Sequence, residues 1–231
     1  DHLALTAGFD VLPQKIKRWV APGLNLVAVT VGIVLSWSAL SFVLVGYDPD
    51  MMIGILPVRL VVAIMPIGYF GMTIRFIFAD TVDRQDRWLP ALGIVIGTII
   101  AINPVIDVLY EIFPDIPEFF YGISDFIFNA SHSLRWPTVI FLIVAAVLGA
   151  PLFVVIGGIA ILLFSQSGGT LSVIPNEAYS MLISPSIPAI PLFTLAGFLL
   201  SESGAGKRLV RLFRAFFGWM PGGLAIAAVI V

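Results

Sequence analysis

Cysteine is absent from all 231 residues, which removes disulfides, thiolate zinc sites, iron-sulfur clusters and cysteine nucleophiles together. Imidazole is nearly as scarce, since His2 and His132 stand too far apart in sequence to suggest a metal motif. Charge is sparse as well: 11% of residues carry it against 59% hydrophobic, which excludes an ordinary water-soluble domain. The 12 Lys+Arg and 14 Asp+Glu leave a net charge of -2, so no global basic field points to nucleic acid. No Ser-His-Asp arrangement or paired catalytic carboxylates stand out, and nothing supports an enzyme. Asp1 in place of Met, and an apolar run still open at Val231, read as a piece of a longer chain.

What the sequence does contain is a series of long uncharged runs with charged flanks. Lys15, Lys17 and Arg18 precede the run at residues 19–47, whose 29 residues exceed what a hydrocarbon core of roughly 30 Å needs at about 1.5 Å per residue. Asn25, Ser36, Ser38 and Ser41 lie inside it at spacings that suit helix packing. Residues 55–78 form a second span, with 15 uncharged residues between Arg59 and Arg75. A mid-membrane arginine costs about 2.5 kcal/mol or more, so both are expected at membrane ends. Pro66, Gly68 and Gly71 predict a kink and a close neighbour. Residues 80–87 read as a solvated turn, and residues 88–106 as a minimal third span terminated at Asn103-Pro104.

Asp107, Glu111, Asp115, Glu118 and Asp125, interleaved with tyrosines and phenylalanines, read as interfacial segments on an acidic outer side. Residues 137–164 read as one long span bent at Gly149 and Pro151, and residues 165–176 as a flexible polar turn. In the next apolar run, residues 178–201, Pro185, Pro188 and Pro191 each delete a backbone donor. Two readings stay open there. One is a discontinuous helix of the kind transporters place near ions and substrates; the other is a helix ending before Pro185 and a new one starting near Pro188. Lys207, Arg208, Arg211 and Arg214 fall at i, i+1, i+4 and i+7, with Leu212, Phe213 and Phe216 on the other face. That is the pattern of a helix lying in the membrane interface. SESGAGKR (residues 201–208) has the outline of a phosphate loop. Ser201 replaces its first glycine and Arg208 its magnesium-binding hydroxyl, which argues against nucleotide binding.

The stretch IPLFTLAGFLLSESGAGKRLVRLFRAFFGWMPGGLA (residues 190–225) resembles the N-terminal part of the large membrane subunit of tripartite ATP-independent periplasmic (TRAP) transporters. LGAPLFVVIGGIAILLF (residues 148–164) is similar to that subunit's first helix, so the likeness covers residues 136–231. Residues 1–80 resemble the second half of the small membrane subunit, more by pattern of spans than by motif. The resemblance implies a fused chain. Residues 1–82 would be small-subunit-like helices, 83–134 a linker helix with the acidic-aromatic outer segment, and 135–231 the truncated start of the large-subunit-like transport domain. It implies an all-α integral protein of the bacterial inner membrane, with about five to six spanning or partly spanning helices plus interfacial ones. It further implies sodium-coupled import of small organic acids handed over by a periplasmic substrate-binding protein, which the acidic surface is a candidate to dock. No cofactor is expected apart from sodium as coupling ion, and the ion and substrate ligands are expected beyond Val231. A structural subunit that never touches substrate, and a channel or pump component, are the open alternatives.

One conflict follows from the charges. The positive-inside rule puts Lys15, Lys17 and Arg18 in the cytoplasm, Asp48 and Asp50 outside, Arg75, Arg84 and Arg87 inside, and the acidic stretch outside. Single crossings at residues 137–164 and 178–201 would then leave Lys207 to Arg214 outside. Either one of these runs fails to make a simple crossing, or the basic helix is an exception to the rule. The proline-broken one, with 13 residues from Pro188 to Leu200, is the shorter for the core.

Overall fold

The computed structural model describes residues 13–79, 82, 84–113, 117–167 and 170–217. They divide into two units, residues 1–178 and 179–231.

The first unit is assembled around α1 (Gln14–Val45), 32 residues and about 48 Å long. Val29, Val34, Ser38 and Ala39 along it are fully buried, because other helices cover it on several sides. A two-residue turn joins β1 (Met52–Ile53) to β2 (Leu56–Pro57), and Gly54 supplies the left-handed φ of 63° that the turn requires. α2 (Val58–Val62) and α3 (Ile64–Ile77) follow, and together make a stretch long and apolar enough to span a bilayer. α3 returns along α1, where Thr73 occupies the space that a side chain on Gly32 would need.

A 3₁₀ turn at Arg84–Asp86 leads into α4 (Trp88–Ile100), which packs on α1 through two glycines four residues apart. A Cβ on Gly93 would stand 2.8 Å from the Leu26 carbonyl oxygen, and one on Gly97 would stand 2.7 Å from that of Thr30. The absence of side chains at these two positions is what lets the helix backbones touch. Trp37 Nε1 donates to Thr98 Oγ1 at 3.3 Å across the same seam. At Ala101 the chain bends by 68° into α5 (Ile102–Ile112). Asn103 and the buried Pro104 therefore do not end the span. They sit in the first turn of α5, where a missing N–H leaves nothing unsatisfied.

α6 (Glu118–Ser133) meets α7 (Arg135–Val147) at 73°, and α8 (Leu152–Gln166) packs against both of them and against α1. The expected single span over residues 137–164 is not what forms. α7 and α8 are the two arms of a hairpin. α7 stops in a left-handed cap: Gly149 has φ 100°, its N–H donates to Ala146 O at 3.1 Å, and Ala150 N–H donates to Ala145 O at 2.8 Å. Pro151 then opens α8 in the opposite direction. Leu142 faces Gly158, Ala145 and Ala150 cluster with Val155, and at the open end Gln166 Nε2 donates to Ser131 O at 2.8 Å. The two arms thus run antiparallel, and the chain comes back to the end from which it left.

The expected flexible turn after α8 is anchored as well, since Leu171 is buried in the main core and Pro175 is fully buried. Pro175 belongs to α9 (Val173–Leu182). In the second unit, α10 (Ser186–Glu202) has no buried residue, and Gly204, at φ 65°, separates it from α11 (Ala205–Phe217). By length and composition Ile16–Val45, Val58–Ile77 and Val173–Glu202 are candidate spans, rising to five if each bent pair counts as one. This is the all-α membrane architecture expected. By length and composition the proline-broken run belongs to a 30-residue apolar stretch, Val173–Glu202, longer than the 13 residues counted from Pro188 to Leu200. The apolar run from Gly222 lies outside the described residues.

Gly97→Val should push α4 off α1 and lower stability by about 1–3 kcal/mol, read from unfolding of the full-length protein in mixed micelles. Gly68→Ala, whose Cβ meets nothing within 4 Å, should leave the transition where it is.

Candidate functional site

Arg59, in α2, is drawn to the C-terminal end of α1, where the last carbonyls of the helix have no intrahelical donor. Its Nε donates to Tyr47 O at 2.9 Å, and Nη2 donates to Leu44 O and, at 3.5 Å, to Glu111 Oε1. A guanidinium against helix-terminal carbonyls is favourably placed in the field of the helix. The Glu111 carboxylate is 45% exposed, so solvent screens that ion pair and most of the value lies in the carbonyl contacts. Arg75 lies exposed in the last turn of α3, so the two arginines mark opposite ends of the Val58–Ile77 stretch and do not meet.

Close to Arg59, the buried Ser41 hydroxyl donates to Asp107 Oδ2 at 2.9 Å. Together with Thr170, Ser172 and Asn176 these groups line a polar cleft of about 550 Å³. One carboxylate among hydroxyls and an amide can order water or a cation, but it repels another carboxylate. No group of three metal-ligating side chains occurs among the described residues.

At the opposite end, Arg18, Pro22, Asp86, Trp88 and Leu89 surround a small cleft of about 130 Å³. The residues read as a solvated turn fold back onto the bundle there: Val82 is buried, and the Arg87 guanidinium lies 5.5 Å from the Phe78 ring centroid.

The remaining sequence-predicted positions belong to the second unit. Pro185 is the N-cap of α10, Pro188 lies in its first turn, and Pro191 stands inside a helix that continues past it. Lys207, Arg208, Arg211 and Arg214 all lie on α11, the last three with exposed side chains, and Leu212 and Phe216 are exposed on the same helix.

Three features escaped the sequence reading. Gly93-x-x-x-Gly97 is a small-residue pair of the kind that marks close helix contacts, and it was legible. Gly149-Ala150-Pro151 is a helix stop followed by a start, also legible once taken as more than a bend. The Ser41–Asp107 pair, joined across 66 positions, had no signal in the spacing.

Long apolar helices, glycine-mediated seams and charges gathered toward the helix ends define a multi-pass integral membrane protein. The chain belongs to the TRAP transporter membrane subunits, with a small-subunit part ahead of a large-subunit part. Residues 1–87 match the family described as tripartite ATP-independent periplasmic transporters, DctQ component, and residues 138–231 match the corresponding DctM component. The chain is 34% identical over 86 residues, 36% of its length, to the C4-dicarboxylate TRAP transporter large permease protein DctM of Vibrio cholerae. It is 32% identical over 119 residues, 40% of its length, to the isethionate TRAP transporter permease protein DctMQ of Oleidesulfovibrio alaskensis. It spans 19% of the length of each of these relatives. No solved structure matches.

Arg59→Gln should cost about 1–3 kcal/mol through the lost charged hydrogen bonds to α1, whereas Glu111→Gln should cost under about 1 kcal/mol. Unfolding of both variants in the same micelles checks the ordering.

Proposed function

We propose that this chain is part of the membrane permease of a sodium-coupled TRAP-type secondary transporter in the bacterial inner membrane. Its substrates are small organic acids, delivered by a periplasmic binding protein. The observation that carries the reading is the succession of both membrane-subunit types on one chain, an arrangement that the name DctMQ also gives to a relative. The named substrates of the two relatives, a C4-dicarboxylate and isethionate, are both small organic acids. The carboxylate at Asp107 and the acidic segments beside it do not suit such anions, so residues 1–178 act as scaffold. Sodium and substrate are bound by later parts of the longer protein.

The hairpin of α7 and α8 supports one orientation of this permease. It begins and ends on the acidic, outer side, so Val173–Glu202 is the segment that crosses inward. Lys207, Arg208, Arg211 and Arg214 then lie at the cytoplasmic interface, and the conflict with the positive-inside rule disappears. α11 is an interfacial arm, its basic face toward the headgroups of the inner leaflet.

Two experiments follow. Single cysteines at Ser133 and Ser172 should be labelled by impermeant reagents from the periplasmic side and one at Ser203 from the cytoplasmic side; labelling of Ser203 and Ser172 from one side would exclude the crossing. Vesicles holding the full-length protein should take up labelled C4-dicarboxylate or isethionate with a sodium gradient and the cognate binding protein. ATP should not be needed, and substituting potassium for sodium should abolish uptake. Uptake that needs ATP, or proceeds without sodium, would contradict the assignment.

A further inference from the structure

We propose that a groove between α1, α4, α6, α7 and α8 holds one acyl chain of a phospholipid, whose phosphate sits at Arg135. The proposal does not depend on the transport reading. The groove encloses about 360 Å³ and is walled by apolar side chains, among them Val31, Ile100, Ile127, Phe141, Ile161 and Leu162. Its α1 wall, Leu26 to Val34, lies within the candidate span Ile16–Val45, so the groove is at hydrocarbon depth.

The lining carries four hydroxyls, of Thr30, Ser131, Thr138 and Ser165, and two of them, with one backbone carbonyl, are engaged within the protein. Thr30 Oγ1 donates to Leu26 O at 2.9 Å, Ser131 Oγ donates to Phe128 O at 2.7 Å, and Ser131 O accepts from Gln166. Such a lining holds little for water, which needs several polar partners, while an empty groove would forfeit the dispersion contacts of its walls. A flexible hydrocarbon chain supplies those contacts and asks for no hydrogen bond.

Arg135 supplies the second, independent argument. It is exposed and begins α7, where the helix field disfavours a cation, and it stands on the acidic side, where the positive-inside rule disfavours it again. It forms no ion pair among the described residues; its guanidinium lies 5.5 Å from the centroid of the Trp136 ring, itself exposed as interfacial tryptophans are. Leu134 and Thr138, flanking Arg135 on the helix, line the groove. A phosphate at Arg135 answers both misplacements and leaves its acyl chain at the mouth.

The test uses full-length protein in mild detergent with added phosphatidylglycerol, read by native mass spectrometry. The unsubstituted protein should retain one lipid per chain. Ala130→Phe, which fills the groove, should lose it, and Arg135→Gln should weaken retention about tenfold, as expected for one charged hydrogen bond, with Arg135→Lys partly restoring it. Unchanged retention in Ala130→Phe, or none in the unsubstituted protein, would overturn the proposal; the latter would mean that another protein segment fills the groove. Should Ala130→Phe not fold, a fluorophore on a single cysteine at Thr138 replaces it as the readout. Brominated phosphatidylglycerol should quench it, and absence of quenching overturns the proposal equally.

Discussion

A backbone at hydrocarbon depth has no water to satisfy its polar groups, so a chain that reverses there has to satisfy them itself. The turn between α7 and α8 meets this demand within six residues. Two backbone bonds, from Gly149 to Ala146 and from Ala150 to Ala145, take up carbonyls left over at the end of α7, and Pro151 brings no donor that would need a partner. Around the turn, Ala145, Ala150 and Val155 pack with Leu24 and Val27 of α1, well inside that helix. Because the reversal is complete, the loop after α8 lies at the same end as Ser131, beside Ser41 and Asp107. The sidedness of α9, α10 and α11 in the proposed orientation follows from this one feature.

The rest of the first unit depends on how closely helices can approach α1. Lipid is as apolar as leucine, so burial alone gives little reason for membrane helices to associate, and contact has to come from fit. Gly32, Gly93 and Gly97 provide that fit on two sides of α1, Gly158 provides it against α7 and Val31, and Arg59 fixes the helix end. Elsewhere the surface stays apolar and uncovered: Ile64 and Ile67 on α3, and Ile190, Phe193 and Phe198 on α10, are each more than 60% exposed. In water this would be a liability, but at a lipid or protein boundary it is the expected finish.

The helical character and the apolar stretches Ile16–Val45 and Val58–Ile77 were readable because each rests on a local quantity, the distance between charges along an apolar run. The helix α11 was readable as well, since its four cations recur at helical spacing. The hairpin was misread because Gly149 and Pro151 serve equally in a kink and in a stop. What decides between them is tertiary: Leu142 against Gly158, and the packing of α8 on α1. Likewise Asn103-Pro104 carries the signature of a helix end yet opens α5, because the bend at Ala101 moves the break upstream. Ser41 and Asp107 could be paired only by the fold.

The reversal at Gly149 is tested most directly by the distance between spin labels on cysteines at Ser133 and Ser167, introduced into the otherwise cysteine-free chain. Antiparallel arms place the labels roughly 10–20 Å apart, the spacing of neighbouring helices plus the label arms. A single continuous span over the same 34 residue steps would separate them by about 50 Å, and a distribution centred there would contradict the account.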